Sequence, residues 1–214
     1  MDTKNIINTL YGKDSVWEDY LFSNLKVDVQ GWNGNHPFLE RFKDTFDYQI
    51  VLDLGVWKGQ STLKLASSLK SKSMKGCVIA VDTFLGSPEH HTRQLYSRHP
   101  GGRPNLYETF LSNIWQSGLK DYVVPLPQTT TGAMKILKDL KISPTFIHVD
   151  AAHEYLEVKK DIEQAFDILS PGGIMVCDDY CKGWQGVVKA VDEFSNQNNI
   201  TVEKSFPKAL LKKS

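Results

Sequence analysis

The sequence lacks the marks of several protein classes. It has three cysteines in 214 residues, and its 25 Lys and Arg residues are balanced by 25 Asp and Glu residues. Three cysteines are too few for a disulfide framework, so we expect a reducing compartment. A balanced charge argues against a surface for nucleic acid or anionic membranes, which needs clustered basic residues, although it leaves room for a local basic groove.

Long apolar runs and metal-binding cysteine pairs are also missing. No run approaches the ~20 apolar residues of a membrane span, and the first residues have no apolar region typical of a signal peptide. Cys77 and Cys177 lie in apolar runs and are interpreted as small buried side chains. Cys177 and Cys181 are four residues apart, but no second Cys or His pair completes a zinc site. We therefore expect a cytoplasmic protein.

From residue 49 onward, short apolar runs alternate with amphipathic segments. The alternation predicts strands at 49–54, 77–82, 122–126, 146–150 and 174–177, and helices near 60–70, 105–117, 131–140, 154–169 and 184–196. Continuous apolar strands separated by helices are typical of a parallel sheet that is covered on both faces. The fold class is therefore α/β, a doubly wound and mostly parallel sheet. Two short runs, 200–202 and 209–211, are expected to form an antiparallel C-terminal edge.

The N-terminal region has a different pattern. Apolar side chains recur there at helical spacing, in two groups: Trp17, Tyr20, Leu21 and Leu25, then Phe38, Leu39, Phe42 and Phe46. We expect residues 1–46 to form a helical N-terminal cap and residues 47–214 to form the core. At this length the whole chain is expected to be one domain.

Residues 83–104 interrupt the alternation. The segment is rich in Gly, Pro, Ser, His and Arg and has little apolar periodicity. A connection of this length inside a compact domain is usually a functional lid or a disordered loop. We favour a mobile lid over residues 84–104, and a solvated loop is the alternative.

Acidic residues stand at the ends of four predicted strands. They are Asp53, Asp82, Asp150 and the pair Asp178 and Asp179. Ligands of open parallel sheets bind beyond the carboxyl ends of the strands. Acids gathered at one sheet edge repel each other unless cations or ligand hydroxyls lie among them. The strand ends therefore predict a ligand site.

The first strand is followed by a glycine-rich turn. Gly55 and Gly59 allow a tight backbone turn that can approach a ligand, and the next helix begins with free N–H groups that suit an anion. Asp82, at the end of the second strand, could accept hydrogen bonds from ribose hydroxyls. A turn that only packs and an Asp that only caps are the alternatives. The spacing is not the G-x-G-x-x-G dinucleotide fingerprint.

These residues carry a family resemblance. Asp53-x-Gly55-x-x-x-Gly59 followed by Asp82 resembles the AdoMet-binding motifs of class I methyltransferases, which have a Rossmann-like fold. The resemblance implies S-adenosyl-L-methionine as cofactor, with its methionine part at the glycine turn and its ribose at Asp82. Gln128, Thr129 and Thr130 follow the third strand and could line the adenine, with a plain turn as the alternative. The cofactor contacts implied are Asp53, Gly55, Trp57, Gly59, Ser61, Asp82, Thr83 and Thr129.

A narrower resemblance involves three further segments, at 31–33, 55–61 and 150–155. These segments are similar to the macrocin O-methyltransferase and cephalosporin-hydroxylase-like group. The similarity covers roughly residues 30–195. It implies that the acceptor is a hydroxyl of a sugar, a glycan or a glycosylated small molecule.

Three of the acids suit a metal ion. Asp150, Asp178 and Asp179 can converge in neighbouring loops and offer oxygen ligands for octahedral Mg²⁺. The arrangement resembles the metal site of catechol O-methyltransferase, in which an Asn stands at the position of Asp179. The extra charge leaves Mg²⁺, Mn²⁺ and Ca²⁺ open. The alternative is that Asp178 or Asp179 caps a turn before the last helix.

His153 follows Asp150 by three residues, at the offset of the general base of catechol O-methyltransferase. An imidazole has a suitable pKa for that role; a hydrogen bond to the cofactor or a place at the start of a helix is the alternative. His148 lies within a strand and is expected to be buried and hydrogen-bonded.

The sequence thus predicts a metal-dependent O-methyltransferase that takes a small-molecule or glycan acceptor. A catechol-type enzyme, with an aromatic slot from Trp57, Trp184 and Tyr180, and a non-catalytic AdoMet-binding protein are the alternatives. Neither a nucleic acid nor a membrane is an expected partner, and a homo-oligomer stays open.

Overall fold

The computed structural model describes residues 2–17, 26–42 and 45–214. Its strands, in chain order, are β1 Gln49–Leu54, β2 Gly76–Asp82, β3 Val123–Pro127, β4 Phe146–Val149, β5 Ile174–Cys177, β6 Glu203–Ser205 and β7 Lys208–Lys212. Its α-helices are α1 Thr3–Tyr11, α2 Gln60–Ser71, α3 Pro88–Thr92, α4 Leu106–Gln116, α5 Thr130–Asp139, α6 Tyr155–Ile168 and α7 Gln185–Gln197. Two 3₁₀ helices lie at Pro37–Glu40 and Lys120–Tyr122.

The seven strands form one sheet in the order β3-β2-β1-β4-β5-β7-β6. Strands β1 to β5 are parallel, β7 is antiparallel to β5, and β6 is antiparallel to β7. The predicted doubly wound sheet with an antiparallel C-terminal edge is confirmed. The outer strand of this edge, β6, consists of residues 203–205 and not of the predicted 200–202. Residues 203–205 are the ones that pair with β7. The strand order reverses between β1 and β4, which is where ligands bind in such sheets.

The core has one layer on each face of the sheet. Alternate residues of a strand point to opposite faces, so Leu52 and Ile79 contribute to one layer while Val51 and Val78 contribute to the other. Both sets are fully buried. Burial on both faces explains why these strands are continuously apolar. Among the residues that the structure describes, no helix combines the length and apolar character needed to cross a membrane.

The described residues of the N-terminal region, 2–17 and 26–42, contain less helix than the apolar spacing predicts. Helix α1 packs Ile6 and Ile7 into the core, and the indole N–H of Trp17 donates to the Val123 carbonyl at 3.2 Å. The spacing at Phe38 and Leu39 corresponds to a single 3₁₀ turn. The expected periodicity at Tyr20, Leu21 and Leu25 lies outside the described residues.

Candidate functional site

The carboxyl ends of the parallel strands open onto two adjoining cavities. One has a volume of about 500 Å³ and the other about 350 Å³. Gly55, Trp57 and Asp150 line both of them. The predicted strand-end acids Asp82, Asp178 and Asp179 each line one. The sheet therefore brings Asp82, Asp150, Asp178 and Asp179 to one edge, as the parallel arrangement requires.

Gly55 fixes how closely the first and fourth strand ends approach. Its φ is +83°, and a Cβ atom at this position would lie 2.0 Å from the carbonyl oxygen of Asp150. One backbone hydrogen bond joins these two strand ends, since the Asp150 N–H donates to the Leu54 carbonyl at 2.9 Å. The Gly55 N–H donates on the other side to the Val81 carbonyl of β2, also at 2.9 Å. A glycine is required here for both backbone conformation and space.

The turn after Gly55 is held by Asp82. One carboxylate oxygen of Asp82 accepts the Trp57 N–H at 2.9 Å, and the other accepts the Phe84 N–H at 2.8 Å. Burial raises the pKa of Asp82 above its usual value, although these N–H groups oppose the shift. Asp82 therefore fixes the loops after β1 and β2 around the smaller cavity.

Threonines add hydroxyl groups to the smaller cavity. Thr83 and Thr129 line it beside Asp82. Thr129 also caps α5, since its hydroxyl accepts the Gly132 N–H at 3.1 Å. The cavity therefore offers hydroxyl and carboxylate acceptors, the kind of groups that ribose hydroxyls and adenine nitrogens require.

Asp53 lies behind the glycine loop and does not face either cavity. It is fully buried. Its carboxylate accepts hydrogen bonds from Ser61 Oγ at 2.9 Å and Thr62 Oγ1 at 2.6 Å, and contacts His148 Nδ1 at 2.8 Å. This placement differs from the direct cofactor contact that the sequence suggested, because Asp53 is fully buried and lines neither cavity. Asp53 supports the first turn of α2.

Gly59 also stands outside the cavity linings. It precedes α2 with a φ of +94°, and a Cβ atom there would meet the Phe110 ring at 3.0 Å. Ser61, in contrast, both bonds Asp53 and lines the larger cavity. The first turn of α2 is thus directed toward that cavity.

The two adjacent acids after β5 differ in environment. Asp178 is 3% exposed and contacts the ammonium of the fully buried Lys208. Asp179 has a φ of +55° and a partly exposed carboxylate that pairs with His153 Nε2 at 2.9 Å. Burial opposes ionisation of Asp178, but His148 and Lys208 outweigh it and lower the pKa of Asp178 to about 2. Lys208 was not singled out from the sequence, since it is one of several lysines near the C-terminus.

Asp150 lies in an environment that disfavours its carboxylate, although the charge of Lys208 partly opposes this effect. Burial and the neighbouring Asp178 raise the pKa of Asp150 well above its usual range. In the described part of the chain, two groups of side chains have ligand atoms within 4.8 Å of one another, and Asp150 belongs to both. The inner group adds His148 and Asp178, and the outer group adds His153 and Asp179. Oxygen and imidazole donors of this kind fit a divalent cation.

His153 is held on three sides. Its ring stacks on Trp184 with centroids 3.9 Å apart, and Nε2 contacts Asp179. Gly186 lets α7 approach, since a Cβ atom there would lie 2.4 Å from the His153 carbonyl oxygen. Burial lowers the pKa of His153, but the hydrogen bond and charge of Asp179 outweigh it, so the net shift is upward. His148, as expected, is buried with both ring nitrogens in contact.

The segment 84–104 contributes residues 87–90 and 93 to the lining of the larger cavity. It contains helix α3 and an isolated bridge between Arg98 and Pro104. From α3, the His90 ring lies 4.0 Å from Trp57 and stacks parallel to Trp32 at 5.5 Å. Sequence periodicity gave no sign of this stack. The predicted mobility of the segment stays a prediction.

Comparisons with known proteins agree with this architecture. A family model described as a methyltransferase domain matches residues 52–180. No curated protein sequence matches the chain. Among solved structures, the O-methyltransferase NovP is 17% identical with a TM-score of 0.63, covering 78% of this chain and 72% of NovP.

Two other solved structures are similar. An O-methyltransferase from Bacillus cereus, in complex with SAH, is 17% identical with a TM-score of 0.58, covering 88% of this chain and 84% of that one. CalS11, described as a TDP-rhamnose 3'-O-methyltransferase of calicheamicin biosynthesis, is 17% identical with a TM-score of 0.55, covering 77% of this chain and 71% of that one. The segment matched by the family model contains the glycine loop and all the strand-end acids. The chain therefore belongs to the methyltransferase domain family and is an AdoMet-dependent enzyme of class I.

Proposed function

We propose that this enzyme methylates a hydroxyl oxygen of a sugar, a glycan or a glycosylated small molecule, with the help of a divalent cation. One observation carries the proposal. Asp150, His153 and Asp179 line the same cavity as Gly55 and Trp57 of the glycine loop. Groups that can activate a hydroxyl therefore adjoin the loop assigned to the methyl donor.

The two cavities suggest how the cofactor is divided. The smaller cavity offers Asp82, Thr83 and Thr129 to the nucleoside. The larger one offers Gly55, Trp57 and the first turn of α2 to the methionine part, whose carboxylate suits a helix N-terminus. The cavities meet at Gly55, so a ligand that fills both passes Asp150.

The acids fit a cation because burial and the neighbouring Asp178 disfavour a negative charge on Asp150, and a cation at this place would stabilise it. Asp150 and Asp179 would hold the ion, and Asp178, the third predicted ligand, borders the same cavity. When bound, AdoMet supplies an electrophilic methyl group and the cation lowers the pKa of a coordinated hydroxyl. The chain itself supplies oxygen donors and a shaped, aromatic-walled site that orients the acceptor.

His153 is placed to accept the hydroxyl proton. If Nε2–H donates to Asp179, the ring is fixed and Nδ1 is left to take a proton. Asp179 then stabilises the imidazolium that forms, as a carboxylate does for a catalytic histidine elsewhere. The stacked Trp184 ring excludes water from one face of the imidazole.

The acceptor class rests on the sequence resemblance and on neighbours such as CalS11, described as a TDP-rhamnose methyltransferase. The catechol alternative has one specific observation in its favour, the aromatic wall of Trp57 and Trp184. Tyr180 does not contribute to that wall. It is buried, and its hydroxyl donates to Asp192 at 2.7 Å.

Methyl transfer from radiolabelled AdoMet tests the proposal. A nucleotide sugar and a catechol, each with and without EDTA, are compared. We expect transfer to the sugar, loss of activity with EDTA and recovery with Mg²⁺, while isothermal titration shows that SAH still binds. Full activity in EDTA would remove the cation from the reaction, and transfer to the catechol alone would favour the aromatic alternative. Transfer to either acceptor excludes a non-catalytic binding protein.

A further inference from the structure

A buried lysine lies beneath the acid cluster. Lys208 is the first residue of β7 and is fully buried. The β5–β7 pairing sets Cys177 opposite Ala209, so the next antiparallel pair is Asp178 and Lys208. The Lys208 ammonium contacts Asp178 Oδ2 and lies 3.1 Å from His148 Nε2. A buried ammonium requires such partners, because desolvation of an unpaired charge is costly.

The contacts continue from Lys208 to the glycine loop. His148 bridges Lys208 and Asp53, since its Nε2 lies 3.1 Å from the Lys208 ammonium and its Nδ1 lies 2.8 Å from an Asp53 carboxylate oxygen. Asp53 also accepts hydrogen bonds from Ser61 and Thr62. This buried chain of hydrogen bonds ties β7, β4 and β1 to the first turn of α2.

Both carboxylate oxygens of Asp178 are engaged by the protein. Oδ2 faces Lys208, and Oδ1 accepts the Asp179 N–H at 2.7 Å. Asp179, with its left-handed backbone, instead turns its carboxylate to the cavity wall beside His153. The inner metal-type group of His148, Asp150 and Asp178 therefore already contains a cation, the ammonium of Lys208.

We propose that Lys208 is the resident cation of the inner group, so that Asp178 is a positioning residue and the divalent cation is held on the cavity side by Asp150 and Asp179. The proposal rests on the proposed cation dependence. It revises the ligand set suggested by the sequence, which contained Asp178. It also assigns the charges of the strand-end acids. The ammonium of Lys208 neutralises Asp178 inside the protein, so Asp150 and Asp179 remain available to the divalent cation in the cavity.

Mn²⁺ affinity, measured by electron paramagnetic resonance of free Mn²⁺, tests the assignment on the full-length chain. The decisive variant is Asp178→Asn combined with Lys208→Met, because it removes the buried pair and leaves the net charge unchanged. We expect its Mn²⁺ affinity to stay within about threefold of that of the unmodified chain. The matched control, Asp179→Asn, should lose tenfold or more. Equal losses in the two variants would overturn the proposal.

Lys208→Met alone gives an effect of opposite sign. With the ammonium gone, the Asp178 carboxylate is free, so Mn²⁺ should bind tenfold or more tightly than to the unmodified chain. Removal of a lysine with a purely structural role would not strengthen Mn²⁺ binding. Unchanged or weaker Mn²⁺ binding in this variant would therefore count against the proposal. If this variant does not fold, the double variant decides, since removing both charges of a buried pair is better tolerated than removing one.

Thermal unfolding separates this proposal from the proposed function. If the unmodified chain binds no Mn²⁺, the cation role in catalysis fails, and the Lys208–Asp178 pairing is judged by Tm alone. Each single variant should then lower Tm more than the double variant does. A double variant that loses as much as the two single variants together would show that the two residues are not coupled.

Discussion

Replacing Gly55 with alanine should separate the two strand ends that build the site. A Cβ atom at Gly55 would lie 2.0 Å from the Asp150 carbonyl oxygen and 2.6 Å from the Ala151 Cα. Both are backbone atoms, so no side-chain rotation relieves the overlap. A non-glycine residue in left-handed backbone costs about 1–2 kcal/mol, and an overlap that forces backbone shifts adds about 1–3 kcal/mol.

Gly12→Ala is the matched control for this variant. Gly12 ends α1 with a φ of +64°, and a Cβ atom there meets nothing within 4 Å. Gly12→Ala therefore carries the free-energy cost of a non-glycine residue in left-handed backbone, without the overlap between Cβ and neighbouring backbone atoms. At about 2–4 °C of Tm per kcal/mol for a chain of this size, calorimetry should show Gly55→Ala several degrees below Gly12→Ala.

The same pair of variants tests function. Because Asp150 must move away from the loop, Gly55→Ala should also bind SAH at least tenfold more weakly by isothermal titration, while Gly12→Ala binds it normally. If Gly55→Ala matches Gly12→Ala in both Tm and SAH affinity, the close approach of β1 and β4 does not shape the site and the reasoning is wrong.

Three further predictions concern the cofactor loop, the base and the lid. Asp82→Ala should weaken SAH binding by about 10- to 100-fold, equivalent to about 1.5–3 kcal/mol for hydrogen bonds to a charged group; unchanged affinity in titration would remove Asp82 from the cofactor site. His153→Ala should lower kcat by about 10²- to 10⁴-fold with little change in SAH affinity, whereas lost SAH binding at normal kcat would make His153 a cofactor contact. Limited proteolysis should cut residues 84–104 in the free protein and less so with SAH and acceptor; equal cleavage in both states would count against a lid.

Much of the fold followed from local patterns in the sequence. The continuous apolar runs at β1, β2 and β4 require a sheet buried on both faces, and the helices between them require parallel strands. Their placement was confirmed to within one or two residues. In the described part of the N-terminal region, the helix expected around Phe38 is a single 3₁₀ turn, since that turn also places the apolar side chains against the core.

The sequence alone also determined which edge of the sheet carries the chemistry. Parallel strands that end in Asp82, Asp150 and Asp178 must bring these residues to the same edge, whatever the details of packing. Gly55 likewise had to lie in a tight turn. These inferences depend on the spacing of apolar residues and on the direction of the strands, and both follow from local sequence.

Only the tertiary structure decided which acids are balanced and which face the cavity. Asp178 and Asp179 are adjacent residues of the same type. Asp178 pairs with Lys208 across the β5–β7 register, whereas Asp179, whose own backbone is left-handed, pairs with His153. Lys208 is separated from Asp178 by 30 residues. Strand register and burial at such separations depend on how the whole sheet packs, and no local pattern specifies them.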